Sequence, residues 1–421
     1  MSSLEEQLTL DEVKHAAEHI NRRLMNAICT SFKVLKNNSN SEKSVSMLKD
    51  SDILFTQFRQ LKSKIMDEEI ENNAFKYGYR YGRYDELLVK INNILKSEEY
   101  TVWYSAEDQN IHYAPKNFKQ RLQLFLKKLA AHNKVVIISG TLTMNGNKKE
   151  LSKDWYMKSN EFEYKEYSTT FDWSKQIYFY APHDISAKTG NDLKKQNDHI
   201  SKIINLFQNT LFEIPGGALI LTTSLNYMNN VYESLSKKNL NRRLIKQGQF
   251  SQGKIIETFK QDITSILVGS GSYFTGFSVK GEALQNVLLT KLPNPTPDNP
   301  FFKLKLEGIN EGLEKNNVKN LIMYKKLEQA IGRLIRDQND FGLFTITDDR
   351  IMQHETWLSS KKIIIHHSLD QLPKFLTDWK NKKVELKNNI INALTPSFIS
   401  FLGENWGNVY FFDRIFRASS S

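Results

Sequence analysis

Four residues in the last third of this 421-residue chain have types and spacing suited to handling phosphate. Gln329, Gly332, Arg333 and Arg336 fall at i, i+3, i+4 and i+7, so a helix through LEQAIGRLIR sets them on one face. Leu327, Ile331, Leu334 and Ile335 make the opposite, apolar face, and Asn339, Asp340 and Gly342 stop the helix before the strand-like LFTI. Planar, permanently charged guanidinium groups on a rigid element suit a phosphate whose charge rises in a transition state. Surface carboxylates could equally pair with them, and spacing alone leaves both readings open.

An element of this kind needs a scaffold, and the chain is long enough for two or three domains. Hydrophobic residues at 40% and charged ones at 25% are ordinary globular values, and no apolar run approaches the ~18 residues of a membrane span. The N-terminus MSSLEEQLTLDEV lacks the basic and apolar blocks of a signal peptide, so a cytoplasmic, membrane-free location is expected. With Cys29 alone, no disulfide framework or iron–sulfur cluster forms within the chain. A net charge of +11 points to a polyanionic partner, although a Lys-rich composition produces the same value.

Apolar residues in steps of three and four predict one long amphipathic helix over Leu10–Leu35 and a second over Ser51–Glu71, with Ile53, Phe58, Leu61 and Ile65 buried. A third helix is expected over Asp85–Lys96, which makes the first hundred residues all-helical. Between the last two lies KYGYRYGRY, where Tyr79, Arg80 and Arg83 offer either a stacking surface for nucleic-acid bases or a packed helix–loop junction. The alternating TVWYSAEDQNIHYAP then reads as a hairpin, and Asn117–Ala131 as a helix.

From KVVIISGTL onward the pattern becomes α/β. Val135–Ile138 is a continuous apolar run of the kind buried on both faces of a parallel sheet, and it is followed by the similar strands of GGALILTTS, TSILVGSGS, NVLLTKLP and GLFTITDD. Ligands meet such sheets at the carboxyl ends of the strands. There stand Thr223 and Ser224, with hydroxyls suited to phosphate contacts, and the glycine-rich loop of Ser270, Gly271, Ser272, Gly276 and Gly281, where backbone can approach a phosphate closely. His366 and His367 follow the strand-like KKIII without a carboxylate or cysteine cluster and are read as a strand terminus instead of a metal site. The aromatic tail from Leu394 either completes a core or docks a partner.

In their order along the chain, Ser139-Gly140-Thr141-Leu142, Gly217–Ser224, Gly269–Gly281 and Gln329–Arg336 resemble the third to sixth motifs of DinG- and XPD-type DNA helicases. The resemblance extends over roughly residues 100–375, with smaller agreements at Phe171-Asp172-Trp173, Gln247-Gly248, Leu292–Pro300 and Asp348-x-Arg350. It implies a RecA-like second motor domain over 146–385, preceded by an arch-like helical region over 1–100 and a connector with the third-motif strand over 101–145, and followed by an aromatic extension over 386–421. By the same resemblance Arg333 and Arg336 would be arginine fingers on an ATP γ-phosphate, Gln329 would orient on the nucleotide or couple it to the DNA site, and Gly332 and Gly276 would lie at the nucleotide. Ser139 and Thr141 would link hydrolysis to DNA, and Thr223, Ser224 and Ser270–Ser272 would hold a single strand.

Two departures limit this. No G-x-x-x-x-GK-[ST] and no DEAH occur in the sequence, Asp11-Glu12-Val13-Lys14-His15 being a poor substitute for Mg²⁺ ligation, and Thr275 and Ser278 stand where the family's fifth motif is acidic. The expectation is therefore a C-terminal helicase half that binds ATP and Mg²⁺ only at an interface with a separate Walker-bearing chain, on single-stranded DNA. The alternative is a catalytically inactive helicase-like DNA-binding or scaffold subunit.

Overall fold

Asn21 divides the first amphipathic segment, expected as one helix, into two. Its backbone is extended and its Oδ1 accepts the Leu24 amide at 2.9 Å, so helix Leu10–Ile20 ends and helix Arg22–Asn38 begins around a single residue. The structure, a computed structural model, describes residues 6–381 apart from 39–44, 72–80, 106–108, 133, 140–142, 144–147, 168–170, 190–191, 215, 275–278, 280, 308 and 310–311. The chain forms two units, Met1–Tyr167 with Asn294–Lys325, and Ser168–Pro293 with Lys326–Ser421. The aromatic tail lies outside the described residues.

In the first unit, helices Ile53–Glu71 and Tyr81–Leu95 join the first two around Val13, Phe32, Phe58, Ile65 and Ile91. Ile53, expected in this core, is 68% exposed, and Leu54 and Phe55 are buried beside it. The first hundred residues are also not all-helical. Strands β1 (Glu6–Leu8) and β2 (Val45–Met47) border the hairpin of β3 (Tyr100–Ser105) and β4 (Asn110–Pro115), giving an antiparallel sheet ordered β1-β4-β3-β2. Three residues are too few to show a period of two, which is why periodicity misses β1 and β2. Strand β3 alternates as a strand must: Val102 and Tyr104 enter the helical core, whereas Trp103 packs with Ala114, Phe118 and Phe301.

The second unit is a three-layer α/β fold. Its strands are β5 (Ile177–Tyr180), β6 (Ala218–Thr222), β7 (Leu244–Lys246), β8 (Ile266–Ser270), β9 (Asn286–Leu289), β10 (Gly342–Ile346) and β11 (Ile365–His366), all parallel, in the order β11-β5-β10-β9-β6-β8-β7. Every residue of β5, β6, β8, β9 and β10 is buried, which accounts for their uninterrupted apolar sequences. Helices Leu193–Glu213 and Leu225–Ser236 pack Phe207 and Val231 against Ile220, Val268 and Leu288. Leu372 and Trp379, in helical residues 372–381, pack with Tyr178 and Leu343. Gly342, the first residue of β10, is required by close approach: a Cβ there would stand 2.3 Å from the Gln285 carbonyl oxygen and 2.9 Å from Leu334 Cδ1.

One expected strand is not formed. Residues 134–139 belong to neither sheet, and Val135, Val136, Ile137 and Ile138 are 43%, 79%, 43% and 82% exposed. The run has the composition of a buried strand, but among the described residues neither sheet includes it. Among the described residues, no helix is long and apolar enough to cross a membrane.

Candidate functional site

Helix Leu313–Leu334 presents Gln329, Gly332 and Arg333, with Leu327, Ile331 and Leu334 buried on its other side as the periodicity requires. It ends two residues short of Arg336, however, so the four residues do not share one helical face. The cause is Asp340, itself buried. Its Oδ2 accepts the amides of Arg336 and Asp337, both at 2.9 Å, and its Oδ1 accepts the Gly281 amide at 3.1 Å. The Arg336 amide, which a continuing helix would turn toward a carbonyl four residues back, is diverted to this carboxylate.

A second side chain closes the same turn from below β5. Gln176, the residue immediately before that strand, donates from Nε2 to the carbonyls of Asp337 at 3.0 Å and Asp340 at 2.8 Å, with a longer approach to Gln338 at 3.3 Å. Its Oε1 accepts the Asp172 amide at 2.9 Å, fixing the orientation of the amide group. The turn after the helix is therefore held by a carboxylate and an amide, both buried, and Arg336 leaves it at a defined place.

Both guanidinium groups are half-buried. Arg333 Nε donates to the Phe274 carbonyl at 2.8 Å, and Arg336 Nε to the Arg333 carbonyl at 3.4 Å. Burial pushes the Arg333 pKa down to about 10, and the charge of Arg336 adds to the effect. Arg336 is also brought down to about 10 by burial, which the Asp340 carboxylate partly opposes. Both stay cationic at neutral pH, as two partly desolvated like charges beside each other. Gly332, one residue before Arg333, faces open space: a Cβ there would meet nothing within 4 Å.

Glycine and hydroxyl residues expected at the carboxyl ends of the strands have varied fates. Ser224 caps helix Leu225–Ser236, its Oγ accepting the Tyr227 amide at 3.3 Å, and Thr223 beside it is half-buried. Ser270 is 1% exposed, its amide donating to Gln247 Oε1 at 2.7 Å, so its hydroxyl faces the interior. Gly271 is exposed with φ +50°, a left-handed conformation that favours glycine, and begins a single 3-10 turn, Gly271–Phe274, that includes the Ser272 backbone. Gly276, Thr141, Tyr79, Arg80 and the side chains of Ser272 and Arg83 lie outside the described residues. Ser139 stands in the exposed segment of the first unit, whereas Gln329, Arg333, Arg336 and Thr223 belong to the second.

Sequence reasoning passed over a polar cluster at the carboxyl edge of β9 and β10. Lys291 Nζ donates to Thr189 Oγ1 at 2.9 Å and lies 4.5 Å from the centre of the Tyr227 ring, and His199 is held between the Tyr227 hydroxyl and the Thr347 carbonyl, 2.9 Å from Nε2. Burial lowers the pKa of both Lys291 and His199. Arg350 forks onto Asp348 at 2.8 and 2.6 Å, and the second Asp348 oxygen also takes the Leu292 amide at 2.8 Å. Burial alone would raise the Asp348 pKa, but these donors hold it below the usual carboxylate value. Asp348-x-Arg350 was visible in the sequence; Lys291, Thr189 and His199 carried no motif that marked them. His366 stacks on Tyr178 and His367 on His183, with ring centres 3.9 and 3.8 Å apart, and among the described residues no group of three or more His, Cys, Asp or Glu could hold a metal.

The helicase C-terminal domain family matches residues 207–389, which include the strands β6–β11 and the arginine turn. The 3'-5' exonuclease DinG of Staphylococcus saprophyticus is 28% identical over 255 residues, 60% of this chain and 26% of that protein. The chain carries a helicase C-terminal domain over residues 207–389 and is similar to the C-terminal half of DinG-type helicases. The ATP-dependent DNA helicase YoaA of Haemophilus influenzae is 34% identical over 150 residues, 34% of this chain and 23% of that protein. An XPD helicase structure has the same fold, with a TM-score of 0.61 at 14% identity over 87% of this chain and 65% of that one; an XPD apo structure gives 0.59 at 15% over 86% and 72%. The matched region thus spans about a quarter of the length of those two curated relatives. The parallel seven-stranded unit of this chain is RecA-like, and the helical region precedes it.

Proposed function

We propose that this chain acts as the C-terminal motor half of a DinG-like ATP-dependent DNA helicase, supplying Arg333 and Arg336 to an ATP site completed by a separate Walker-bearing chain. The observation that carries the reading is the arginine pair itself. Two like charges held together in a partly desolvated turn raise each other's energy, and an anion with several oxygens between them relieves it. The turn that holds them is built before any ligand arrives, by Asp340 and Gln176, so little reorganisation accompanies binding. Gly332 leaves room for a nucleotide oxygen or for a partner's backbone beside Arg333. A triphosphate with its Mg²⁺ fits this donor set, the phosphate loop and the Mg²⁺ carboxylates coming from the Walker-bearing chain; when bound, Mg²⁺ would neutralise phosphate charge.

Single-stranded DNA is the proposed substrate. Among the described residues, the half-buried Thr223 and the exposed, left-handed Gly271 offer contacts to a sugar-phosphate backbone, whereas Ser270 acts by supporting the loop. The test is to assay the purified chain alone, with a Walker-bearing DinG-type motor domain, and with that domain plus single-stranded DNA. The expected result is no ATP hydrolysis alone and DNA-stimulated hydrolysis in the full mixture. Salt-dependent DNA binding with no hydrolysis in any mixture would instead establish a catalytically silent subunit.

A further inference from the structure

The loop that enters the edge strand β7 is strongly basic and borders a cavity that no motif of the sequence marks. Residues 237–246, KKNLNRRLIK, hold five basic residues and no acidic one. With the end of helix Leu225–Ser236 and the first residue of β7, they border an open cavity of about 380 Å³, whose lining includes Tyr232, Lys238, Asn239, Leu240, Asn241 and Leu244. Among the described residues no carboxylate lines it; Asp262 interacts with Arg242 and Arg243 from outside. The cavity stands at the amino end of β7, whereas Thr223 and Gly271 follow the carboxyl ends of β6 and β8. It is also apart from the arginine turn, which precedes β10: the sheet order sets β7 four strands from β10, about 19 Å at the usual strand spacing.

Each part of the lining suits a different part of a nucleotide. Tyr232 brings an aromatic ring on which a base stacks, and Lys246, which does not line the cavity, holds its ammonium 5.1 Å from the centre of that ring. Asn239 and Asn241 are exposed amides with both donors and an acceptor, which matches the mixed donors and acceptors along the edge of a base. The exposed ammonium groups of Lys237 and Lys238 suit a phosphate. The loop is held from beneath: Leu240 and Leu244 rest on the core, and Arg242 donates to the carbonyls of Leu211, Ile214 and Gly216 at 2.8, 2.9 and 2.9 Å. Asn241 turns the chain at φ +48°, a left-handed conformation that asparagine tolerates. The volume lies near the low end of small-ligand sites, roughly 300–1,000 Å³, which limits the occupant to one nucleotide. A protein strand fits the place poorly, because Gln249 takes both backbone groups of Lys246: its Oε1 accepts the amide and its own amide donates to the carbonyl, each at 3.2 Å.

We propose that this cavity binds one nucleotide unit, with the base on Tyr232, the edge of the base against Asn239 and Asn241, and the phosphate on Lys237 and Lys238. The unit is a free nucleotide or one residue of a nucleic-acid strand rounding the edge of the sheet at β7; both present the same base and phosphate. The site goes beyond the proposed function, since it is formed by this chain alone, away from Arg333 and Arg336, and needs no Walker-bearing partner.

The experiment titrates the full chain, without a partner, with dAMP, dTMP, inorganic phosphate, and deoxyoligomers of adenine or thymine, and follows amide hydrogen exchange. The readout is the probe concentration that half-protects residues 232–244, so that binding elsewhere on the chain does not enter. The expected result is protection of 232–244 by a nucleotide probe. Protection by the monophosphates and the oligomers alike identifies a free-nucleotide site, and protection by the oligomers alone identifies a strand site. Tyr232→Leu, which keeps an apolar side chain on the core, and Lys238→Glu, at an exposed position, should each raise the half-protecting concentration by ~10-fold or more. Lys238→Glu should leave the melting temperature unchanged, so its effect is read on a folded chain. Lack of protection at 232–244 by every probe, protection by inorganic phosphate as effective as by the best nucleotide probe, or an unchanged half-protecting concentration in Lys238→Glu each overturns the proposal.

Discussion

The turn at Ile335–Asp340 and the run at Lys134–Ile138 are both short, motif-bearing segments next to a helix, and the chain treats them in opposite ways. The turn is closed by its own neighbours: Asp340 takes three backbone amides and Gln176 reaches three carbonyls. The aliphatic run has no place in either sheet and keeps Val136 and Ile138 four-fifths exposed. Sequence pattern states what a segment requires, and a fold states whether the same chain provides it. Where the two agree, as at the turn, the segment is preorganised; where they disagree, as at the run, the requirement is left unmet among the described residues.

Substitutions sharpen that contrast. Asp340→Ala leaves three backbone amides without their acceptor and should cost about 3 kcal/mol, read as a lower urea midpoint. Gln176→Ala removes a donor shared among carbonyls that retain other solvation, and about 2 kcal/mol is expected by the same measurement. A cost below about 0.5 kcal/mol at both positions would mean that the turn is no better held than the run.

The carboxyl-edge cluster supplies a pH test. His199 faces Tyr227, the Thr347 carbonyl, Lys291, Asp348 and Asp198, and burial lowers its pKa below the ordinary value. The unfolded chain takes up a proton near pH ~6.5 while the folded one does so only at lower pH. Stability from this group is therefore present above ~6.5 and is lost as pH falls through the folded value. His199→Gln should flatten the dependence of the unfolding midpoint between about pH 6.5 and 5. The smallest effect belongs to the run. Ile138→Asp in the isolated chain should change stability by less than about 0.5 kcal/mol, because an 82% exposed side chain has no core to leave, and a larger loss would show that the run is packed.

Much of this was legible in the residues, for reasons that also explain what was not. The strands β6, β8, β9 and β10 announce themselves because burial on both faces selects unbroken apolar runs, whereas Gly342, read only as a helix breaker, is required by the close approach of the Gln285 carbonyl. Arg333 is where the helical period places it. Arg336 is not, because the period carries no information about Asp340, four residues ahead, competing for its amide. Gln176 was passed over although Asp172 and Trp173 were noticed, since its partners are 161 to 164 residues away. The strands β1 and β2 are too short for a pattern, and Asn21 interrupts a helix whose apolar spacing continues across the break. Val135–Ile138 was read as a strand buried in a parallel sheet, and among the described residues it belongs to neither sheet.

The central claim is that Arg333 and Arg336 act on a nucleotide brought by another motor domain. Its most direct test is the rate of single-stranded-DNA-stimulated ATP hydrolysis by the assembled pair, measured with wild-type chain and with Arg333→Ala or Arg336→Ala at protein concentrations where assembly is verified independently. The account predicts that each substitution lowers the rate by about 10³-fold or more while assembly and DNA binding persist. An unchanged rate in a fully assembled complex would contradict it.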